Sequence, residues 1–328
     1  MKNRSTQGQD RLIFSMFLFF VILINGCAKR VDTVGFISPD APSIQMKKRQ
    51  AASEPPQGEV AQDAANYEAD GDKAIALGRA DEALSAYLKA LSLSSNPVLI
   101  HEKIGRIYLW KGQPEPAITH FKKIVESDPR NGKAYEGLGL AYLKKKQDEQ
   151  ADDAFRKAIA INPQMAAAHN GLGLVMDRKK DHPAAWAFYR EAIRLEPENA
   201  RYYNNLGFSM LLSGDMDGAI TILKLALQKD PANKRARNNL GYAYGLRGDF
   251  GLAFEEFRLA QDEGGAYNNL GYIYNQSGRY TQAMASFEKA LESRPIWFRR
   301  AAKNRDSLST WKGSGTDQDE DAEDLSTK

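Results

Sequence analysis

A glycine recurs along this chain at a nearly constant interval, and this period constrains the fold more than any other feature. Five gaps in the series are of 34 residues and the last is of 30: Gly71, Gly105, Gly139, Gly173, Gly207, Gly241 and Gly271. Self-similarity at such a period is the signature of a repeat array, in which each unit buries its apolar face against its neighbours. The sequence therefore predicts a linear stack of seven similar units.

Other residues keep fixed distances from each glycine. Twelve residues later stands Ala83, Ala117, Ala151, Ala185, Ala219, Ala253 or Ala283. Four residues further comes Tyr87, Phe121, Phe155, Tyr189, Leu223, Phe257 or Phe287. Five units then close on Pro129, Pro163, Pro197, Pro231 or Pro295. Glycine and alanine let two antiparallel helices approach closely, large residues fill the remaining volume, and proline ends the second helix.

This pattern is similar to that of tetratricopeptide repeats, and the likeness implies an all-α solenoid of seven helix-turn-helix units over residues 64–311. Left-handed turns between the paired helices are expected at Gly78, Gly112, Gly214, Gly248 and Gly278. Lys146 and Lys180 replace that glycine in the third and fourth units. The sixth unit is four residues short, about one helical turn. Residues Ile296 to Leu308 are expected to form a C-terminal capping helix.

The N-terminus has the layout of a secretory signal peptide over residues 1–26, because basic residues precede the short apolar run Leu12 to Ile24. The run ends in INGC, which resembles a bacterial lipobox and implies that Cys27, the single cysteine, carries acyl chains. Ala28 follows it, which in lipoproteins of this type implies an outer-membrane anchor facing the periplasm. The alternative is an uncleaved anchor helix with an incidental cysteine.

Both flanks of the repeats have the composition of disordered segments. Residues 27–63 contain four prolines among polar residues and are expected to form a tether. Residues 312–328 carry the run DQDEDAED and are expected to form an acidic tail, although a carboxylate run could bind calcium. The formal net charge of +3 gives no sign of a nucleic-acid partner.

No catalytic, metal or cofactor motif was found. His101 and His169 occupy an aromatic position of the repeat and are expected to be structural, while His120 and His182 lack a second ligand at metal-binding spacing. GLGL in the third and fourth units lies inside a predicted helix and lacks the third glycine of a phosphate loop. The chain is therefore expected to be a non-enzyme that needs no cofactor.

The tetrad NNLG occurs three times and suggests a binding surface. We number each unit so that its signature glycine is position 8. The helical period then puts positions 4, 7, 8 and 11 on the side that faces the partner helix, and positions 2, 6, 9 and 13 on the opposite side. The second asparagine of each tetrad occupies position 6, and the first asparagine lies beside it. We expect the asparagines of all three tetrads to line a peptide-binding groove: Asn204, Asn205, Asn238, Asn239, Asn268 and Asn269. Phe208, Tyr242 and Tyr272 at position 9 would add apolar contact, as would Leu174.

An amide can bond the backbone of an extended peptide whatever its side chains, because it carries both a donor and an acceptor. The alternative is that these asparagines order the solenoid by bonding neighbouring groups of the chain itself. The sequence leaves both interpretations open.

The signal peptide, Cys27 and the repeat array together resemble the TadD lipoproteins of tight adherence (Flp) pilus assembly systems, as does the stretch RARNNLGYAYGLRGDF from Arg235 to Phe250. The resemblance implies a non-catalytic assembly factor that binds protein partners, such as an outer-membrane secretin or other pilus components. The alternatives are a pilotin for another secretin, or a scaffold for peptidoglycan or outer-membrane enzymes.

Overall fold

The structure is a computed structural model that describes residues 57–293 and 295–309. The chain divides into two units, Met1–Val60 and Ala61–Lys328, and every side chain discussed below belongs to the second. The predicted signal peptide, Cys27, residues 28–56 of the predicted tether and the predicted acidic tail lie outside the described residues. The first helix begins at Gln57, inside the segment that composition assigned to the tether.

Fifteen α-helices make up the described part of the chain. The first eight are α1 (Gln57–Ala76), α2 (Ala80–Leu93), α3 (Val98–Trp110), α4 (Pro114–Ser127), α5 (Gly132–Lys144), α6 (Asp148–Ile161), α7 (Ala166–Arg178) and α8 (His182–Leu195). The others are α9 (Ala200–Ser213), α10 (Met216–Lys229), α11 (Lys234–Arg247), α12 (Phe250–Ala260), α13 (Glu263–Gln276), α14 (Tyr280–Ser293) and α15 (Pro295–Ser309). They pack in consecutive pairs, which confirms the predicted solenoid of seven helix-turn-helix units closed by a C-terminal helix.

Local sequence explains where these helices begin and end. Six helices begin directly after an Asn or Asp whose side chain accepts a hydrogen bond from a backbone N–H of the first turn: Asn131, Asp181, Asn199, Asp215, Asn233 and Asp262. Four second helices stop at a residue in non-helical conformation that precedes proline: Asp128, Asn162, Glu196 and Asp230. Proline favours this stop because it disfavours helical geometry at the preceding residue. The second helix of the shortened sixth unit, α12, has 11 residues instead of 14.

The turns within the pairs are left-handed at all five predicted glycines, with φ between 73° and 100°. Lys146 and Lys180 adopt the same conformation, with φ of 61° and 62°. A side chain carries a steric cost in this region that glycine avoids, so the third and fourth units hold local backbone strain.

Lys146→Gly is expected to raise the free energy of unfolding by about 0.5–1 kcal/mol, because relief of the left-handed strain exceeds the extra entropy of glycine in the unfolded chain. The matched control is Lys144→Gly, at an exposed helical residue of α5, which should lower stability by up to about 1 kcal/mol. Urea denaturation of both variants measures the difference. Equal destabilisation by both would contradict the assigned turn.

The close helix pairs depend on the signature glycines. A Cβ atom at Gly139 would lie 2.5 Å from the Phe155 ring, and one at Gly173 would lie 2.5 Å from the Tyr189 ring. The alanines of the facing helix are likewise fully buried, as at Ala151. A contiguous apolar core runs from the third unit into the seventh, as expected for an array in which each unit packs on the next.

The first helices of the units form the inner layer of the array. Each one from α3 onward contacts the first helix of the next unit, in the series α3, α5, α7, α9, α11, α13 and α15. Second helices of neighbouring units make no comparable contact within the described residues. The row of first helices is therefore the more tightly spaced, and it lies on the concave side of the stack.

Candidate functional site

The concave side carries a row of apolar side chains at position 9 of successive units. Leu140, Leu174, Phe208, Tyr242 and Tyr272 are all half-buried, so each exposes part of its surface. The rings of Tyr242 and Tyr272 meet edge to face with centroids 6.4 Å apart, which makes the row continuous between α11 and α13. Burial raises the pKa of the Tyr242 hydroxyl above its ordinary value. These residues form an apolar strip. Contact of Phe208, Tyr242 and Tyr272 with a bound peptide stays a prediction.

The asparagines of the NNLG tetrads form side-chain hydrogen bonds from unit to unit. Asn205 Nδ2 donates to Asn170 Oδ1 at 2.7 Å, and Asn239 Nδ2 donates to Asn204 Oδ1 at 2.9 Å. Asn269 Nδ2 lies 3.4 Å from Asn238 Oδ1. At the C-terminal end, Asn304 Nδ2 of α15 donates to Asn268 Oδ1 at 3.0 Å. We call this series the amide ladder.

The amide ladder has a constant register. The donor stands at position 6 of one unit and the acceptor at position 5 of the unit before it, in all three rungs between repeats. A rung of the same register joins the first two units, where Lys103 Nζ lies 2.7 Å from a Glu68 carboxylate oxygen. Position 6 therefore lies between neighbouring first helices.

This placement corrects the expected orientation of the asparagines. Asn204, Asn239, Asn268 and Asn269 are buried, with Asn239 only 2% exposed, so they do not stand open on the groove. Asn205 and Asn238 keep partial exposure. The geometry favours the alternative that the ladder orders the solenoid, since a buried amide bonded to its neighbour satisfies its polar groups. Peptide binding by the six asparagines stays a prediction, and Asn205 and Asn238 are the two with partial exposure.

The ladder is interrupted at two interfaces, where position 6 is glycine. A Cβ atom at Gly137 would lie 2.4 Å from the Phe121 ring, and one at Gly171 would lie 2.4 Å from the Phe155 ring. Each ring thus packs against the first helix of its own unit and that of the next. The second, third and fourth units are joined by aromatic packing at the place where later units use amides.

A buried polar cluster joins the fourth and fifth units. Asp177 accepts hydrogen bonds from Ser209 Oγ and from Tyr189 Oη at 2.8 Å, and its Oδ1 lies 2.9 Å from His182 Nδ1. Trp186 Nε1 in turn donates to Ser209 Oγ at 3.0 Å. Burial raises the pKa of the Asp177 carboxyl, against the opposing effect of its hydrogen bonds.

This cluster lacks the order of a hydrolytic triad. Ser209 and His182 both bond the same carboxylate oxygen of Asp177, whereas catalysis requires the serine to bond the second nitrogen of the histidine. The cluster acts as a second link between repeats. Sequence reasoning missed it, because its members come from three different helices.

The structure also brings together two histidines that the sequence treated separately. His101 Nδ1 on α3 and His120 Nδ1 on α4 are 2.8 Å apart, so one ring donates to the other. Burial, with a further contribution from His101, lowers the pKa of His120 to about 4. Burial also lowers the pKa of His101. Both rings are therefore neutral at pH 7, and no group of three or more metal-ligating side chains occurs in the described part of the chain.

Acidification should destabilise the second unit through this pair. The folded-state pKa of His120 lies below its ordinary value of 6.5, so the unfolded chain binds more protons between about pH 4 and pH 6.5. The contribution of His120 to the free energy of unfolding is fully present above that window. It is lost as the pH falls through the window, by about 1 kcal/mol between pH 7 and pH 5 for a partly exposed ring. Thermal melts across this range measure the slope. His120→Gln should flatten the slope, and an unchanged pH dependence would contradict the assignment.

No helix of the described residues is both long and apolar enough to cross a membrane. Cys27, the predicted site of lipid attachment, lies outside them.

Comparison with known proteins places the chain among tetratricopeptide proteins. The family model described as the cilia and flagella-associated protein 70 C-terminal domain matches residues 37–268, and a tetratricopeptide repeat model matches residues 264–296. Comparison with curated protein sequences finds no match.

Solved structures show the same fold. A thermophilic TPR protein from Thermus thermophilus is 27% identical, with 55% of this chain and 98% of that chain covered and a TM-score of 0.50. PilW, described as a widely conserved type IV pilus biogenesis factor, is 19% identical over 66% of this chain and 100% of its own, with a TM-score of 0.56. PilF of Pseudomonas aeruginosa is 18% identical over 65% and 97%, with a TM-score of 0.52.

Proposed function

The chain belongs to the tetratricopeptide-repeat family described as the cilia and flagella-associated protein 70 C-terminal domain, and from this premise we propose that it binds extended segments of partner proteins along its concave side. Tetratricopeptide arrays are typically non-catalytic scaffolds, and this role requires no cofactor. The partner is a protein or an extended peptide segment, and not a nucleic acid.

The observation that carries the proposal is the apolar strip at position 9. Its side chains are half-buried, which holds them in fixed positions while leaving surface for a ligand. Aromatic side chains supply large contact area at low cost in conformational entropy. Asn205 and Asn238 are partly exposed and precede the strip residues Phe208 and Tyr242 by about one helical turn. They can offer their remaining hydrogen-bonding capacity to a ligand backbone.

The same proposal places the protein on the periplasmic face of an outer membrane, anchored through acyl chains on Cys27. The supporting features are the signal peptide layout and the INGC motif. Two or more acyl chains, at about 0.8 kcal/mol per buried CH₂, give a stable anchor. The family description refers to cilia and flagella, but the signal peptide and lipobox favour a bacterial envelope.

Within the envelope, we propose that the protein assists assembly of a tight adherence (Flp) pilus or of its secretin, in the manner that its resemblance to TadD lipoproteins implies. PilW, a type IV pilus biogenesis factor by its description, shares the fold at low identity. Deletion of the gene should abolish surface pili and deplete secretin multimers from the outer membrane. Normal pili with disturbed peptidoglycan would reject this role in favour of an enzyme scaffold, and loss of another secretin would favour a pilotin.

Cys27→Ser should abolish metabolic labelling by palmitate and release the protein from the outer-membrane fraction, because the anchor is covalent and depends on one thiol. The released protein should keep the helical circular dichroism spectrum of the wild type. Recovery of the mutant in the outer-membrane fraction with unchanged processing would overturn the lipoprotein assignment.

A further inference from the structure

A small cavity opens between the second and third units, at the first gap in the amide ladder. Its volume is about 190 Å³, and its lining is formed by Arg106 and Leu109 of α3, Phe121 of α4, and Glu136, Gly137 and Leu140 of α5. About 10–15 Å³ of such volume admits one water molecule, so the cavity has room for the end of a long side chain.

The cavity lies beside Gly137, at position 6 of the third unit. In the fifth, sixth and seventh units this position carries an asparagine, which reaches the preceding unit. At Gly137 even a Cβ atom would lie 2.4 Å from the Phe121 ring, so no other side chain fits without displacement of that ring. The Phe121 ring fills the space next to Gly137, and the cavity opens beside this ring. The cavity borders the apolar strip, since Leu140 belongs to both.

Glu136 gives the cavity its chemical character. It stands at position 5, where the corresponding residues of the other six units accept a side-chain hydrogen bond: Glu68, Glu102, Asn170, Asn204, Asn238 and Asn268. The donor it would take from the next unit is missing, because that residue is Gly171. Burial raises the pKa of the Glu136 carboxyl, although Arg106 acts in the opposite direction.

Arg106 and Arg201 are the cations that act on the Glu136 carboxyl, and Arg106, whose effect is the larger, is already bound elsewhere. Arg106 Nε donates to Glu102 Oε1 at 3.0 Å within α3, so that pair is neutral as a unit. Among the residues that the structure describes, Glu136 is left as a partly buried carboxylate without a side-chain hydrogen-bond donor. Its carboxylate is therefore available to accept a hydrogen bond from a ligand.

We propose that this cavity receives a lysine or arginine side chain of an extended partner segment that lies along the apolar strip, which presupposes the binding function proposed above. The aliphatic stem of such a residue packs against Leu109, Phe121 and Leu140, and its charged end donates to Glu136. Long basic side chains combine an apolar stem with a charged tip and match these two features of the cavity.

Selection from a library of random linear peptides tests the proposal on the full chain. Peptides selected by the wild type should share a Lys or Arg at one fixed position, and Glu136→Gln, which is nearly isosteric, should lose that preference. Glu149→Gln, at an exposed carboxylate of α6, is the matched control and should select the same peptides as the wild type.

Titration of one selected peptide and its norleucine analogue then measures the contact. The analogue should bind the wild type about tenfold more weakly and bind Glu136→Gln as well as the parent peptide does. Equal binding of both peptides to the wild type would overturn the cavity assignment while leaving the groove intact. Failure of the wild type to select any peptide would overturn the proposed function itself.

Discussion

Leu223→Ala should lower the free energy of unfolding by about 2–5 kcal/mol, the range for a leucine removed from a packed core. Leu223 takes the place of the aromatic residue in the fifth unit, is fully buried, and packs against Gly207 of the facing helix. It also belongs to the core that joins the third unit to the seventh. The cavity left behind should therefore weaken coupling to both neighbouring units as well as the pair itself.

Leu252→Ala is the matched control for this prediction. Leu252 lies on α12 with 51% of its surface exposed, so the same truncation removes little buried area. Its effect should stay within about 0.5 kcal/mol. Thermal and urea melts of the two variants make the comparison, and equal effects would contradict the assigned helix pairing.

The triple substitution of Asn205, Asn239 and Asn269 by alanine should cost about 2–6 kcal/mol in total. Removal of the Asn205 and Asn239 amides takes the donor of the neighbouring unit from Asn170 and Asn204, at about 1–3 kcal/mol for each buried group. Asn238 loses Asn269 but keeps its hydrogen bond from Gln261, so the third change costs less. The better helix propensity of alanine offsets part of this loss. The three rungs lie at different interfaces, so their effects should be nearly additive.

Asn66→Ala, at an exposed asparagine of α1, is the control and should leave the melting temperature nearly unchanged. Circular dichroism melts of the control and the triple variant decide between the two interpretations of the tetrads. An unchanged melting temperature in the triple variant would show that the amides do not hold the repeats together and would restore their assignment to ligand binding.

The repeat architecture could be predicted because it follows from spacings within one unit. Gly139 and Phe155 meet because two helices of one hairpin must approach closely, and the sequence carries both residues at the required distance. Gly214 forms a left-handed turn for a similarly local reason, because glycine has no Cβ atom and adopts positive φ at little cost. Such features need no knowledge of how one unit sits on the next.

The orientation of position 6 could not be predicted from the spacings within one unit. A helical projection of one pair shows that Asn239 faces away from its partner helix, but it does not show that the neighbouring unit covers that side. The bond to Asn204 depends on the stacking of two units and joins residues 35 positions apart. The contact of Asp177 with Ser209 was missed because it too joins two units. His101 and His120 belong to one unit, and their contact was missed because the two histidines were considered separately.

Site-specific photocrosslinking in living cells tests most directly whether the concave side binds a partner protein. With benzoylphenylalanine at Phe208 or Tyr272, on the apolar strip, we expect a discrete crosslinked species whose partner is a component of the envelope assembly machinery. With the same probe at Leu259, which is 54% exposed on α12, we expect none. Crosslinks confined to Leu259, with none from the strip, would contradict the assignment of the concave side as the binding surface.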